Sequence, residues 1–276
     1  MGAPHKTRLL PGFGLSLGCT LFYLSAMILI PFAALFLKAA STSPSGLWAA
    51  ISGPRALASY RVTLLSATLG ATINAGGGFV LAWILVRYRF PGRRLVDALV
   101  DLPFALPAAV GGIALAAVFG PNGWVGRLTY PLGIPTAYSP IGLTLAVTFV
   151  GLPYVVRSVQ PVLGDLDPEV EEAAYSFGAT PWQIFTRAIA PIVRPALLSG
   201  FTLALARGIG EYGAVIFISG NTPLSTEVTS LVIVGKLDQY DYAGAAAVAT
   251  AMLALSFALL LITNLLQSRS RAYQAG

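Results

Sequence analysis

The chain has 276 residues, of which 56% are hydrophobic and only 10% charged, against about 25% charged in an ordinary soluble domain. Too few polar groups remain to coat a soluble globule. The net charge of +6 and pI near 9.6 do not indicate nucleic acid, because the basic residues flank apolar blocks instead of gathering on one soluble face.

In chain order, the short N-terminal tail, residues 1–14, carries His5, Lys6 and Arg8. His5 has no second histidine with which to share a metal and reads as one more polar residue of the tail. Six apolar blocks follow, nearly free of charge: Leu15–Leu37, Val62–Val86, Leu102–Phe119, Tyr138–Val156, Pro195–Ile218 and Ala243–Gln267. A bilayer crossing needs about 20 apolar residues at ~1.5 Å of rise each. Lipid offers no partner to exposed backbone groups, so such blocks must be helices. The expectation is therefore an all-α polytopic membrane protein with six transmembrane helices over 15–267 and a short tail, 268–276. The first block is longer than a signal-peptide core and five more follow it, so it reads as retained. Cys19, the sole cysteine, excludes a disulfide framework and reads as a small buried apolar residue.

Orientation follows from where the cations fall. With the N-terminus in the cytoplasm, Lys6, Arg8, Arg87, Arg89, Arg93, Arg94, Arg157, Arg187, Arg194, Arg269 and Arg271 lie inside, and only Lys38, Arg55, Arg61, Arg127 and Lys236 lie outside. Short cytoplasmic loops are enriched in Lys and Arg, so both termini are expected to be cytoplasmic. The outer segment 121–140, with four prolines and Asn122-Gly123, reads as turns. No Gly-rich phosphate loop followed by Lys occurs, so ATP hydrolysis is not expected of this chain. Clustered nucleophiles, bases or metal ligands are absent from the sequence pattern too, and repeated halves of the kind secondary carriers use are not visible.

Residues 165–191 are too patterned for a passive connector. Asp167 suits an N-cap with Pro168 behind it, Glu169 and Glu171 complement the helix start, and Gly178 stops the helix. A second helix opens at Thr180, with Pro181 next and Gln183 at capping-box spacing, and Pro191 is expected to close it. Val170, Ala173, Ala174 and Phe177 form a narrow apolar stripe that packs either on the protein's own surface or on a partner. Glu172-Ala173-Ala174, then Gly178, then Pro191 thirteen residues beyond that glycine, resembles the EAA loop of ABC-importer permeases. Before the proline this chain has Ala188, Ile189 and Ala190 where the family usually carries Ile and Leu. The resemblance implies the type I importer (MetI-like) fold and a coupling helix that enters a groove of an ATPase subunit, with Glu172, Ala173, Ala174, Gly178 and Pro191 as the coupling residues.

The fifth block contains Arg207-Gly208-Ile209-Gly210-Glu211-Tyr212-Gly213. Charges within an apolar block are costly and usually face a bundle interior or an aqueous cavity. Arg207 and Glu211 stand one helical turn apart and can pair on one face, either lining a path or a moving helix seam, or simply holding the structure; Gly208, Gly210 and Gly213 would allow close helix contact. Leu102-Pro103-Phe104-Ala105-Leu106-Pro107, Arg207 to Gly220-Asn221, and Thr226 to Leu231 resemble the T-type sulfate/thiosulfate permeases, and the stretch around Arg207 is shared more loosely with molybdate permeases. The resemblance covers nearly the whole chain. It implies a sulfate/thiosulfate importer subunit in the bacterial inner membrane that binds no cofactor itself. It further implies a homologous second permease chain, wrapped by the first helix, two ATPase subunits and an extracytoplasmic sulfate-binding protein.

Overall fold

The computed structural model describes residues 13–272, with the side chains of Pro168 and of residues 266–272 outside that description. His5, Lys6 and Arg8 therefore lie outside the described residues, as do the side chains of Arg269 and Arg271. Among the described residues, five helices are long and apolar enough to cross a membrane: α1 (Phe13–Ala40), α2 (Pro54–Arg87), α4 (Pro140–Gly164), α5 (Pro181–Ile209) and α6 (Tyr242–Ala272), the last apolar as far as Leu265. Between α2 and α4 lies α3 (Ala108–Phe119), only 12 residues long and so about 18 Å at 1.5 Å per residue. Six helices thus occupy the six apolar blocks, but the third and fifth blocks are interrupted.

The third block breaks because Pro107 has no N–H to donate and drives the residue before it out of the helical region. Leu102–Ala105 forms a single turn, and Leu106 is extended (φ −88°, ψ 139°) before α3 begins. The fifth block differs at both ends. Its helix starts at Pro181 instead of Pro195, because Pro191 does not close the hairpin's second helix. Phe185–Ile189 forms a π-helical turn, with Ala190 N–H bonded to Phe185 O, and the helix runs on through Pro191. A widened turn is the usual accommodation where a proline removes a donor from the ladder. At the other end the helix stops at Ile209, and a short turn, Val215–Ile218, follows after residues 210–214.

The core is the seam between α2, α4 and α5, the most extensively packed trio. Ala67, Ala71, Val155, Val156, Ala204 and Leu205 are buried there, and small residues set the close approach. A Cβ on Gly208 would lie 2.6 Å from Val147 Cγ1, one on Gly78 3.0 Å from Val155, and one on Gly200 2.8 Å from the Val155 backbone. By contrast, among the described residues α1 packs chiefly on α6 and the short helix Pro44–Ser52, and nearly all of its apolar side chains are exposed. Cys19 is accordingly exposed, not buried as its type suggested, because α1 has no neighbour on that side among the described residues.

Candidate functional site

The two interruptions meet. A Cβ on Gly112 of α3 would stand 2.3 Å from Ala214 O, and one on Gly213 would stand 2.8 Å from Ala108 Cβ, so the non-helical stretch 210–214 lies directly on the start of α3. Irregular backbone inside apolar blocks is tolerated only where protein covers it or it borders a cavity. Such a cavity exists: a cleft of about 240 Å³ lined by Pro103, Phe104, Leu106, Pro107, Tyr154 and Arg207, among others. Phe104 and Tyr154 meet edge to face across it, ring centroids 5.1 Å apart. Arg207 is the one charged residue on its lining.

Arg207 Nη1 lies 2.5 Å from Glu211 Oε2; the arginine side chain is 35% exposed, whereas the glutamate side chain is 1% exposed. The expected pair therefore forms, although not on one continuous helical face, since Gly210 ends α5 between the two residues. Glu211 Oε1 accepts from Ala214 N (2.8 Å), so the carboxylate also caps the turn Val215–Ile218, and Ser230 Oγ donates to Glu211 O. Oε2 makes no well-aligned hydrogen bond and meets the guanidinium as an ion contact alone. The result is a fully buried anion neutralising a cation that still faces the cleft. Of the three nearby glycines, Gly208 and Gly213 are close contacts, and Gly210 has open space around it.

The hairpin is a second candidate site. Asp167 accepts from Glu169 N, and Thr180 and Gln183 complete the capping box. The first helix, Pro168–Ser176, ends in a Schellman motif: Ala179 N bonds to Ala174 O, Gly178 N bonds to Tyr175 O, and Gly178 has φ +78°, a left-handed conformation that favours glycine. Of the apolar stripe, Ala174 packs against the core. Val170, Ala173 and Phe177 are exposed, Phe177 at 92%. Glu172 is exposed as well. Among the described residues most of the stripe is therefore uncovered.

Several ionic contacts were not anticipated from the sequence. Arg157 of α4, read only as part of the orientation bias, bonds to Asp97 and Asp101 (2.6–2.8 Å). These carboxylates stand four apart, a spacing that puts them on one helix face and could have disclosed the cluster. The Gln160 amide and then the Arg157 guanidinium hold the Asp97 carboxyl below its usual range. At the opposite end of the bundle Arg55 grips Glu227 through two hydrogen bonds of 2.7 and 2.6 Å, and Thr229 N donates to Thr63 Oγ1 (2.9 Å). The 226–231 stretch is thus an anchor that pins the helix Thr229–Asp238 to α2. Arg55→Ala leaves the nearly buried Glu227 carboxylate unpaired. It is expected to cost about 1–3 kcal/mol of stability, between the ranges for exposed and buried pairs because Arg55 is half-exposed. The check is a lower Tm of the detergent-purified protein.

Five helices long and apolar enough to cross a membrane, three of them packed on a seam of small residues, are those of an integral membrane protein. The chain belongs to the family of binding-protein-dependent transport system inner membrane components, whose model matches residues 75–272. It is 48% identical over 269 residues, covering 98% of this chain and 97% of the relative, to the sulfate transport system permease protein CysT of Escherichia coli K12. It is 43% identical over 254 residues to the CysT of Synechocystis sp. PCC 6803, covering 92% and 89%. Among solved structures, a bacterial ABC transporter that imports the acidic polysaccharide alginate superposes with TM-score 0.75 at 17% identity, covering 92% of this chain and 94% of that one. The MetNI methionine ABC transporter superposes with TM-score 0.54 at 20% identity, covering 84% and 99%. The fold is that of ABC-importer permeases.

Proposed function

We propose that this chain is the translocation subunit of an ATP-driven sulfate/thiosulfate importer of the bacterial inner membrane. The observation that carries the reading is the 48% identity to a sulfate permease across almost the entire chain. In this reading Arg207 borders the ion's path. Sulfate is a dianion and is attracted by a guanidinium, while Glu211 offsets that charge, so the ion can pass without being held, as conduction requires. Tight capture falls to an extracytoplasmic sulfate-binding protein. A homologous second permease, embraced by α1, completes the path. Two ATPase subunits dock beneath the two permease chains, one of them on this chain's hairpin through Glu172, Ala173, Ala174, Gly178 and Pro191. Both termini lie in the cytoplasm. The test is uptake of radiolabelled sulfate by cells holding this chain and its partners, with competing oxyanions. Sulfate uptake suppressed by thiosulfate and resistant to molybdate is expected; suppression by molybdate at lower concentration than by thiosulfate would assign a different oxyanion.

A further inference from the structure

Two separate contacts tie the hairpin to the end of α2. From its first helix, Glu171 forms an ion pair with Arg87 in the last turn of α2, 84 positions away in sequence, and both side chains are at least three-quarters buried. The Arg87 guanidinium also lies over the Trp83 ring, 5.4 Å from its centroid. From the second helix, Phe185 in the π-helical turn meets Trp83 edge-on (5.9 Å) and Phe79 (6.0 Å), and stacks on Trp182 (5.7 Å). The hairpin's two arms therefore close on one short segment of α2, residues 79–87, one by charge and one by aromatic packing.

We propose that Arg87 and Glu171, with Trp83 and Phe185, clamp the coupling hairpin to α2, so that the hairpin and α2 move as one body during transport. This rests on the reading of the hairpin as the ATPase contact. The hairpin also continues directly into α5. Without the clamp, a push on Pro168–Ser176 would be absorbed by rotation about the link to α4 at residues 165–167; with it, the push reaches α2 and α5 together. Those two helices share the glycine-lined seam with α4, and α4 carries Tyr154 into the cleft. Glu171 and Arg87 are positioning residues: neither lines the cleft, and Glu171 neighbours the exposed Glu172 without sharing its outward face.

The geometry separates clamping from docking. Glu171→Arg should leave the ATPase co-purifying with the permease yet lower the sulfate moved per ATP hydrolysed by about tenfold, within the usual range of coupling between sites. Glu171→Gln, which keeps the shape, should act in the same direction and less. The exchange Arg87→Glu with Glu171→Arg should recover most of the ratio. A nitroxide at Ser176 in the full-length permease without ATPase should give a sharper spectrum in Glu171→Arg than in the parent, and this readout stands whether or not the hairpin is the docking site. An unchanged nitroxide spectrum overturns the clamp. An exchanged pair no better coupled than Glu171→Arg alone overturns it too. Loss of the ATPase from Glu171→Arg would likewise contradict it and make Glu171 a docking residue.

Discussion

Gly178→Arg is expected to yield a permease that inserts normally and no longer retains its ATPase. Position 178 combines three properties. Its φ of +78° suits glycine; nothing among the described residues lies within 4 Å of an added Cβ; and its neighbour Phe177 is almost wholly exposed. A left-handed conformation costs an L-residue about 1–2 kcal/mol, which the open surroundings do not increase. An arginine there would therefore fit the isolated chain and project a large charged side chain beside the apolar stripe Val170, Ala173 and Phe177. A groove shaped for a close-approaching helix would meet that bulk first. Gly178→Ala carries the backbone cost without the bulk and separates the two: co-purification of the ATPase should fall more than tenfold for arginine, about 1.4 kcal/mol, and far less for alanine. Equal retention by parent and Gly178→Arg would count against docking through this hairpin.

The second large effect is expected from the cleft pair, and the two halves should behave differently. Arg207→Ala strands the Glu211 carboxylate, which is 1% exposed. Removing one partner of a fully buried pair costs about 3–5 kcal/mol, and the exposure of Arg207 to the cleft brings the expected loss below that range, to about 2–3 kcal/mol, so this variant should lose both thermal stability and uptake. Glu211→Ala leaves the cation facing the cleft unneutralised and removes the acceptor for Ala214 N. Its principal defect should be transport, because an uncompensated guanidinium holds a dianion that must leave. The double variant has neither stranded charge and should recover part of the stability and uptake lost in Arg207→Ala. Tm of the purified permease and initial rates of sulfate uptake provide the check. Single variants that both transport at the parent rate would show that the pair has no part in the path.

Much of this was legible in the residues because the constraints are local. Apolar length marked the helices, the Asp167 and Thr180 caps marked the hairpin, and Gly178 marked its turn, each through chemistry acting within four residues. The Arg207–Glu211 pairing was legible from spacing, but its setting was not: past Gly210 the chain leaves the helix and Ala214 packs against Gly112, about a hundred residues away, a contact that local spacing does not disclose. Pro191 misled for a related reason. A proline can end a helix or be absorbed in a widened turn, and here the packing of Phe185 on Trp83 accompanies the second outcome. Cys19 failed because residue type predicts burial only when a helix has neighbours on every side. The clusters of Arg157, Arg55 and Arg87 join distant segments, and a cation at a helix end reads first as an orientation signal.

The central claim is that this chain carries an anion across the membrane at the expense of ATP hydrolysed elsewhere. The most direct measurement is sulfate uptake into proteoliposomes containing this permease, its partner permease and ATPase, with the binding protein outside, and with ATP either enclosed or omitted. Uptake should require enclosed ATP and vanish when this chain is left out. Uptake that proceeds equally without ATP would contradict the account.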